Sequence, residues 1–136
     1  MKSLPENIKP SALIRLAIRD EEKAHASKEY RVEMGAWHVP GTYECAVCFA
    51  GAVMAFSLDA DPKRDLSPEY CDVYTKNCLY ALHAFRKGFT AEGLRDMGIQ
   101  KKSIRKFRKI TPYADDRDAF LAAMEKLAKE FEAIDL

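Results

Sequence analysis

The side chains best suited to chemistry in this sequence are two cysteines three positions apart, Cys45 and Cys48. We expect both in the first turns of a helix, where free N–H groups and the helix dipole lower a thiol pKa and favour the thiolate. Such a pair could serve redox chemistry or hold a metal ion. A thioredoxin-like site also needs a βαβ unit with parallel strands. The sequence offers one short candidate strand before the pair and none after it, which disfavours redox catalysis.

Zinc is the other chemistry that these residues permit, because its tetrahedral sites in proteins are built from cysteine and histidine. Zinc hairpins place a second close pair of cysteines after the first, whereas Cys71 and Cys78 are seven positions apart on an apolar stripe. Free cysteine packs as a small hydrophobe, so we expect the thiols to be core side chains and expect no cofactor or metal. If a metal is bound, its candidate ligands are His38, Cys45, Cys48 and Cys71.

His38 lies between Trp37 and the Pro40-Gly41 turn, and loop residues beside a rigid helix start are well placed to act. A dyad of His38 and Cys45 would need a defined distance and a third orienting group. The sequence fixes neither of them. It also contains no glycine-rich phosphate loop and none of the HExxH, GxSxG or DxDxDG motifs. We therefore assign no catalytic residue and favour a protein that is not an enzyme.

The densest run of positive charge lies in residues 101–109 and contains one aromatic side chain, Phe107. Basic side chains with an aromatic among them are typical of a surface that follows phosphates and stacks on a base. The alternative is a solvated face whose charge is cancelled by the acidic last helix. The members of this basic run are Lys101, Lys102, Arg105, Lys106, Arg108 and Lys109.

Composition limits the class of protein. A chain of 136 residues with 48% hydrophobic side chains can bury about two thirds of its unfolded surface, which predicts a single domain over residues 1–136. The net charge of +1 gives no global field that would attract nucleic acid or an anionic membrane. The first residues lack the apolar run of a signal peptide. We expect a cytoplasmic protein with reduced cysteines and no membrane partner.

The most apolar stretch, residues 43–58, predicts a central helix that is buried on every side. Thr42 is the expected N-cap of this helix. Gly51 in a helix interior costs about 1 kcal/mol relative to alanine. That cost is accounted for if a second backbone crosses close to the helix at Gly51. We expect the other elements to pack around this helix.

The other helices are predicted from caps and from apolar residues at helical spacing. Asp115 and Asp116 open the last helix, whose apolar side chains recur at steps of three and four. A spare apolar strip on this helix could support a homo-oligomer. The predicted helices besides the central one cover residues 10–26, 68–87, 91–97, about 104–110 and 115–134.

Residues 29–39 begin with alternating charged and apolar side chains, which predicts a short strand. A single strand needs a partner, so the segment either forms a hairpin through Gly35 or stays an extended loop. The predicted fold is therefore mainly α. It is a single-domain bundle of five or six helices around the central helix at about 43–58, with at most a small β element near residues 29–39.

The string from Cys45 to Ala55 resembles a Cys-x-Val-Cys-x-Ala-Gly-Ala-Val-Met-Ala segment of small uncharacterised proteins encoded by tailed bacteriophages. The resemblance covers about a dozen of the 136 residues. That group of proteins has no assigned reaction, cofactor or ligand, so the resemblance implies no site. It does imply an accessory protein that is made in the cytoplasm of an infected bacterium.

Three functional hypotheses follow. The first is a non-catalytic accessory protein that contacts another macromolecule, specifically a host or phage protein. The alternative is nucleic-acid binding through residues 101–109. The third is a zinc or thiol site around Cys45 and Cys48.

Overall fold

The computed structural model describes residues 1–85 and 111–136, and every element named below lies in those ranges. The described part combines four helices with a three-stranded mixed sheet, so the predicted bundle of five or six helices is wrong. The short helices predicted at 91–97 and about 104–110 lie outside the described residues. In chain order the elements are α1 (Pro10–Ala26), β1 (Tyr30–Val32), β2 (His38–Pro40), β3 (Cys45–Val47), α2 (Phe49–Phe56), a 3-10 helix (Pro68–Tyr70), α3 (Val73–Phe85) and α4 (Arg117–Ala133).

Strand β3 is the centre of the sheet and overturns the predicted start of the central helix. It pairs in parallel with β1 and antiparallel with β2. The helix expected after Thr42 begins only at Phe49, because residues 45–47 find strand partners on both sides. A short apolar run fits a buried strand as well as a buried helix, so its pattern does not distinguish the two.

The strand prediction for residues 29–39 was right in position and wrong in pairing. Strands β1 and β2 both pair with β3 and not with each other. Neither a hairpin through Gly35 nor a purely extended loop is therefore formed. The partner that the sequence did not reveal is β3, which forms the beginning of the apolar run.

One face of the sheet is covered and the other is open. Tyr30 and Cys45 point to the covered face and pack against Ala52 and Ala55 of α2. On the opposite face Val39 is exposed. Because side chains alternate along a strand, Tyr30 and Cys45 lie inside the protein while Val39 faces outward.

Helix α2 lies between the sheet and the main core. Residues 45–55 of the apolar run are buried as predicted, whereas Tyr43 at the start of the predicted run is 95% exposed and Phe56 near its end is half-buried. None of the helices in the described ranges is long and apolar enough to cross a bilayer. The largest fully buried side chains of the main core in the described ranges are Leu13 and Ile14 of α1, Phe49 and Met54 of α2, Leu58 just after α2, Leu79 and Leu82 of α3, and Phe120, Met124 and Phe131 of α4.

The helix ends follow local capping chemistry. The side chain of Asp116 accepts the backbone N–H of Ala119 at 3.0 Å, which confirms the predicted start of the last helix. Helix α3 begins later than predicted, because Pro68 starts a 3-10 helix instead. The carboxylate of Asp72 accepts the N–H of Thr75 at 2.9 Å at the start of α3.

A buried carboxylate joins α1 to the beginning of α4. Glu21 is 0% exposed and accepts hydrogen bonds from Arg117 Nε at 2.8 Å and from the Tyr113 hydroxyl at 2.8 Å. A second guanidinium nitrogen of Arg117 donates at 3.0 Å. Three donors make the buried charge tolerable, since an unpaired carboxylate would cost several kcal/mol.

Gly51 of α2 lies against the backbone just before β2. A Cβ atom at this position would stand 1.6 Å from the carbonyl oxygen of Trp37. The predicted crossing of a second backbone at Gly51 is thus confirmed, and the crossing residue is Trp37.

Replacing Gly51 with alanine should destabilise the fold by roughly 3 kcal/mol, because two packed backbones would have to separate. Urea unfolding measures this loss as a lower transition midpoint. The matched control is Gly35→Ala, where an added Cβ meets nothing within 4 Å. The control should stay within about 0.5 kcal/mol of the parent. Equal stability of the two variants would contradict the crossing.

Candidate functional site

The candidate site is built on the β2–β3 hairpin and the pocket beside its tip. The backbone N–H of Gly41 donates to the carbonyl of Glu44 at 2.8 Å, which closes the turn between the strands. The pocket has a volume of about 300 Å³. Its walls are formed by Glu29, residues 40–45, Pro62 and Lys63.

At the wall of this pocket, the pairing of β2 with β3 places His38 diagonally beside Cys45, whose direct partner in the register is Pro40. Cys45 Sγ lies 3.6 Å from His38 Nδ1, and the two residues are 2% and 0% exposed. His38 Nδ1 also lies 2.8 Å from the carbonyl oxygen of Arg64. A carbonyl can only accept, so Nδ1 carries the ring proton and Nε2 carries the lone pair. Among the described residues, nothing hydrogen-bonds to this Nε2.

Burial keeps both groups of this pair neutral. Burial lowers the pKa of His38 below its ordinary value, although the Arg64 carbonyl favours the protonated ring. Burial also raises the pKa of Cys45 to about 11, with a smaller contribution from Asp65. A neutral thiol beside a neutral imidazole is not an activated nucleophile. The expected lowering of the Cys45 pKa is therefore wrong, because this residue lies in a buried strand and not in a helix start.

The other two candidate ligands lie on the main-core side of α2. Cys48 is the N-cap of α2, and its sulfur accepts the N–H of Gly51 at 3.4 Å. Cys48 belongs to the main core and half-buried Cys71 packs against it, whereas Cys45 belongs to the cluster at the sheet. Within residues 1–85 and 111–136, no three histidine, cysteine or acidic side chains are grouped so that they could hold a metal ion.

Tyr43 was not predicted from the sequence to be part of this site. Tyr43 at the hairpin tip is 95% exposed. Glu29 and Lys63, which also line the pocket, were missed because they lie far from Tyr43 in the chain. The signal that could have found Tyr43 is the Pro40-Gly41 turn between two short apolar segments, which is typical of a hairpin.

The basic run of the sequence lies outside the described residues. Its members are Lys101, Lys102, Arg105, Lys106, Arg108 and Lys109.

The zinc hypothesis has a direct test. Protein purified without chelator should hold well under one zinc per chain, because only His38 and Cys45 of the four candidate ligands are brought together and tight zinc sites need three or four. Elemental analysis after dialysis measures the metal content, with Cys45→Ser and the matched control Cys78→Ser as variants. One zinc per chain that is lost in Cys45→Ser and kept in Cys78→Ser would contradict this expectation.

Comparison with known proteins adds no assignment to this geometry. The chain matches no protein-family model, no curated protein and no solved structure. A function must therefore follow from the hairpin, the pocket and the buried pair of His38 and Cys45 themselves.

Proposed function

We propose that this chain is a small accessory protein of bacteriophage type that acts in the bacterial cytoplasm by contacting a host or phage protein. The observation that carries this proposal is the exposure of Tyr43, which stands 95% exposed at the rim of the pocket. Tyrosine is enriched at protein interfaces because it buries a large area and loses little side-chain entropy. Tyr43 is therefore the anchor residue of the proposed contact surface.

The loop that carries Tyr43 is held in place before any partner arrives. The Gly41 N–H donates to the Glu44 carbonyl at 2.8 Å. The Glu44 carboxylate in turn pairs with the guanidinium of Arg31 on the neighbouring edge strand at 3.5 Å. A preformed loop loses less conformational entropy on binding, which favours affinity.

The composition of the pocket suits a protein partner. Half-buried Pro40 and Pro62 supply apolar walls, and exposed Glu29 and Lys63 supply charges of both signs at the edge. An apolar centre with a polar rim is the usual anatomy of a protein interface. A volume of about 300 Å³ is at the lower limit for ligand pockets and suits one or two side chains of a partner.

The buried pair favours contact over catalysis. His38 and Cys45 are 0% and 2% exposed, so a substrate has no access to them in the described conformation. Both groups are also neutral near pH 7 for the reasons given above. An efficient nucleophile would need an exposed, activated thiolate.

A photo-crosslinking amino acid in place of Tyr43 should capture one predominant protein in bacterial cells, because that side chain projects from the hairpin tip. The matched control carries the same amino acid at exposed Lys126 on α4. Mass spectrometry of the adducts measures the outcome. The same adducts at both positions, or none at position 43, would contradict the proposal.

Nucleic-acid binding through residues 101–109 is the second candidate. Two ion pairs between α1 and α4 favour nucleic-acid binding over simple charge cancellation within the chain. Arg15 binds Glu125 at 2.5 Å and Glu132 at 2.6 Å. These two acids of α4 are therefore already paired with α1, which leaves fewer acidic groups to neutralise the basic run.

The second candidate predicts a mobility shift with single-stranded nucleic acid at about 50 mM salt that weakens steeply towards 200 mM, because phosphate contacts release counterions. A variant with Lys101, Lys102, Arg105 and Lys106 changed to glutamate should lose the shift. The matched control changes four exposed lysines in the described ranges to glutamate, namely Lys23, Lys28, Lys126 and Lys129. The absence of a shift at low salt, or its equal loss in both variants, would exclude this function.

A further inference from the structure

A segment that we call the strap, residues 60–66, leads from α2 towards the 3-10 helix and covers one side of the site. Three hydrogen bonds fasten it to the sheet. The Tyr30 hydroxyl donates to the carbonyl of Ala60 at 3.3 Å. His38 Nδ1–H donates to the carbonyl of Arg64 at 2.8 Å, and the N–H of Leu66 donates to the carbonyl of His38 at 3.0 Å. Two of these three bonds involve His38, one through its ring and the other through its backbone carbonyl.

The other ring nitrogen of His38 is buried and has no hydrogen-bond partner among the described residues. His38 is 0% exposed, and within the described residues no donor or acceptor meets its Nε2. A neutral ring needs only the acceptor that Nδ1–H already has. A protonated ring has a second N–H and a full charge, and burying both without an acceptor is costly.

The groups that surround the ring decide how it responds to pH. From β1, the Tyr30 ring makes an edge contact at 5.9 Å between centroids. From β3, the Cys45 sulfur lies 3.6 Å from Nδ1. The strap supplies Asp61 and Asp65, whose carboxylates favour a proton on His38 but are outweighed by its burial. Helix α2, which packs against β2, has no ionisable side chain.

We propose that His38 is a proton-operated latch: when Nε2 takes up one proton from solvent, the strap separates from the sheet and exposes the Cys45 thiol, which is 2% exposed in the closed form. Pro62 and Lys63 of the strap form one wall of the pocket, so moving the strap widens it. Separation gives the imidazolium access to water, and the hydration gained by the charged ring outweighs the weaker attraction of the more distant strap carboxylates. This device goes beyond the proposed contact function and does not depend on it.

The direction of the pH effect follows from linkage. The closed form holds His38 with a pKa below 6.5, whereas the hydrated ring of the open form titrates near 6.5. The open form therefore binds the proton more tightly. The strap stays closed at neutral pH, and the open population grows as the pH falls below 6.5 towards the lower pKa of the closed form.

The test is thiol labelling of the full chain with 4,4′-dithiodipyridine, which also reacts in mild acid, read out residue by residue by mass spectrometry. Cys48, which is 0% exposed in the main core, reports any global unfolding. Relative to free cysteine, labelling of Cys45 should accelerate by about tenfold from roughly pH 7.5 to roughly pH 5.5, while Cys48 stays protected. No acceleration at Cys45, or equal acceleration at Cys48, would overturn the latch.

The matched control is His38→Asn. The asparagine side-chain nitrogen takes the place of Nδ1 and still donates to the Arg64 carbonyl, but it does not titrate. This variant should show no acid acceleration at Cys45, and acceleration equal to that of the parent would assign the opening to another group. Should the variant not fold, nitrogen NMR of the parent protein decides. The latch requires the Nδ1–H tautomer and a His38 pKa below 6.5, and titration at or above 6.5 overturns it.

Discussion

The fold depends on how one fully buried segment satisfies its own backbone. Residues 45–55 are buried, so their N–H and C=O groups need partners within the protein. The chain pairs these groups first by strand pairing and then by hydrogen bonds within a helix. The first three residues form the central strand of a sheet, and the rest forms helix α2. At the junction, the sulfur of Cys48 accepts the N–H of Gly51.

Two further contacts fix where the sheet and the helices lie. The missing side chain of Gly51 lets the carbonyl of Trp37 approach α2, which places β2 against this helix. On the far side of the core, Arg117 binds the buried carboxylate of Glu21 and joins α4 to α1. The contact between Gly51 and Trp37 depends on close packing, and the contact between Glu21 and Arg117 depends on charge. Both are long-range contacts that connect segments distant in sequence, and each restricts the position of a neighbouring element.

The β2–β3 hairpin carries both the buried and the exposed side chains of the site. Side chains of β2 and β3 alternate between the two faces of the sheet, so His38 and Cys45 are buried while Val39 faces solvent. The turn between the strands then projects Tyr43 away from the core. The interior pair is neutral at physiological pH, and the exposed aromatic residue is available for contact. We therefore place the proposed contact surface at exposed Tyr43 and the proposed response to acid at buried His38.

Features that depend on neighbouring residues could be predicted from the sequence. Capping chemistry gave the start of α4 at Asp116, apolar composition predicted the burial of residues 45–55, and Gly51 indicated a close backbone approach. Two features were not predictable in this way: the apolar run begins as a strand, and His38 lies beside Cys45 with both groups neutral. The physical reason is that caps and periodicity act within a few residues. Strand pairing and pKa values depend on which distant segments come together, and a single sequence does not specify those partners.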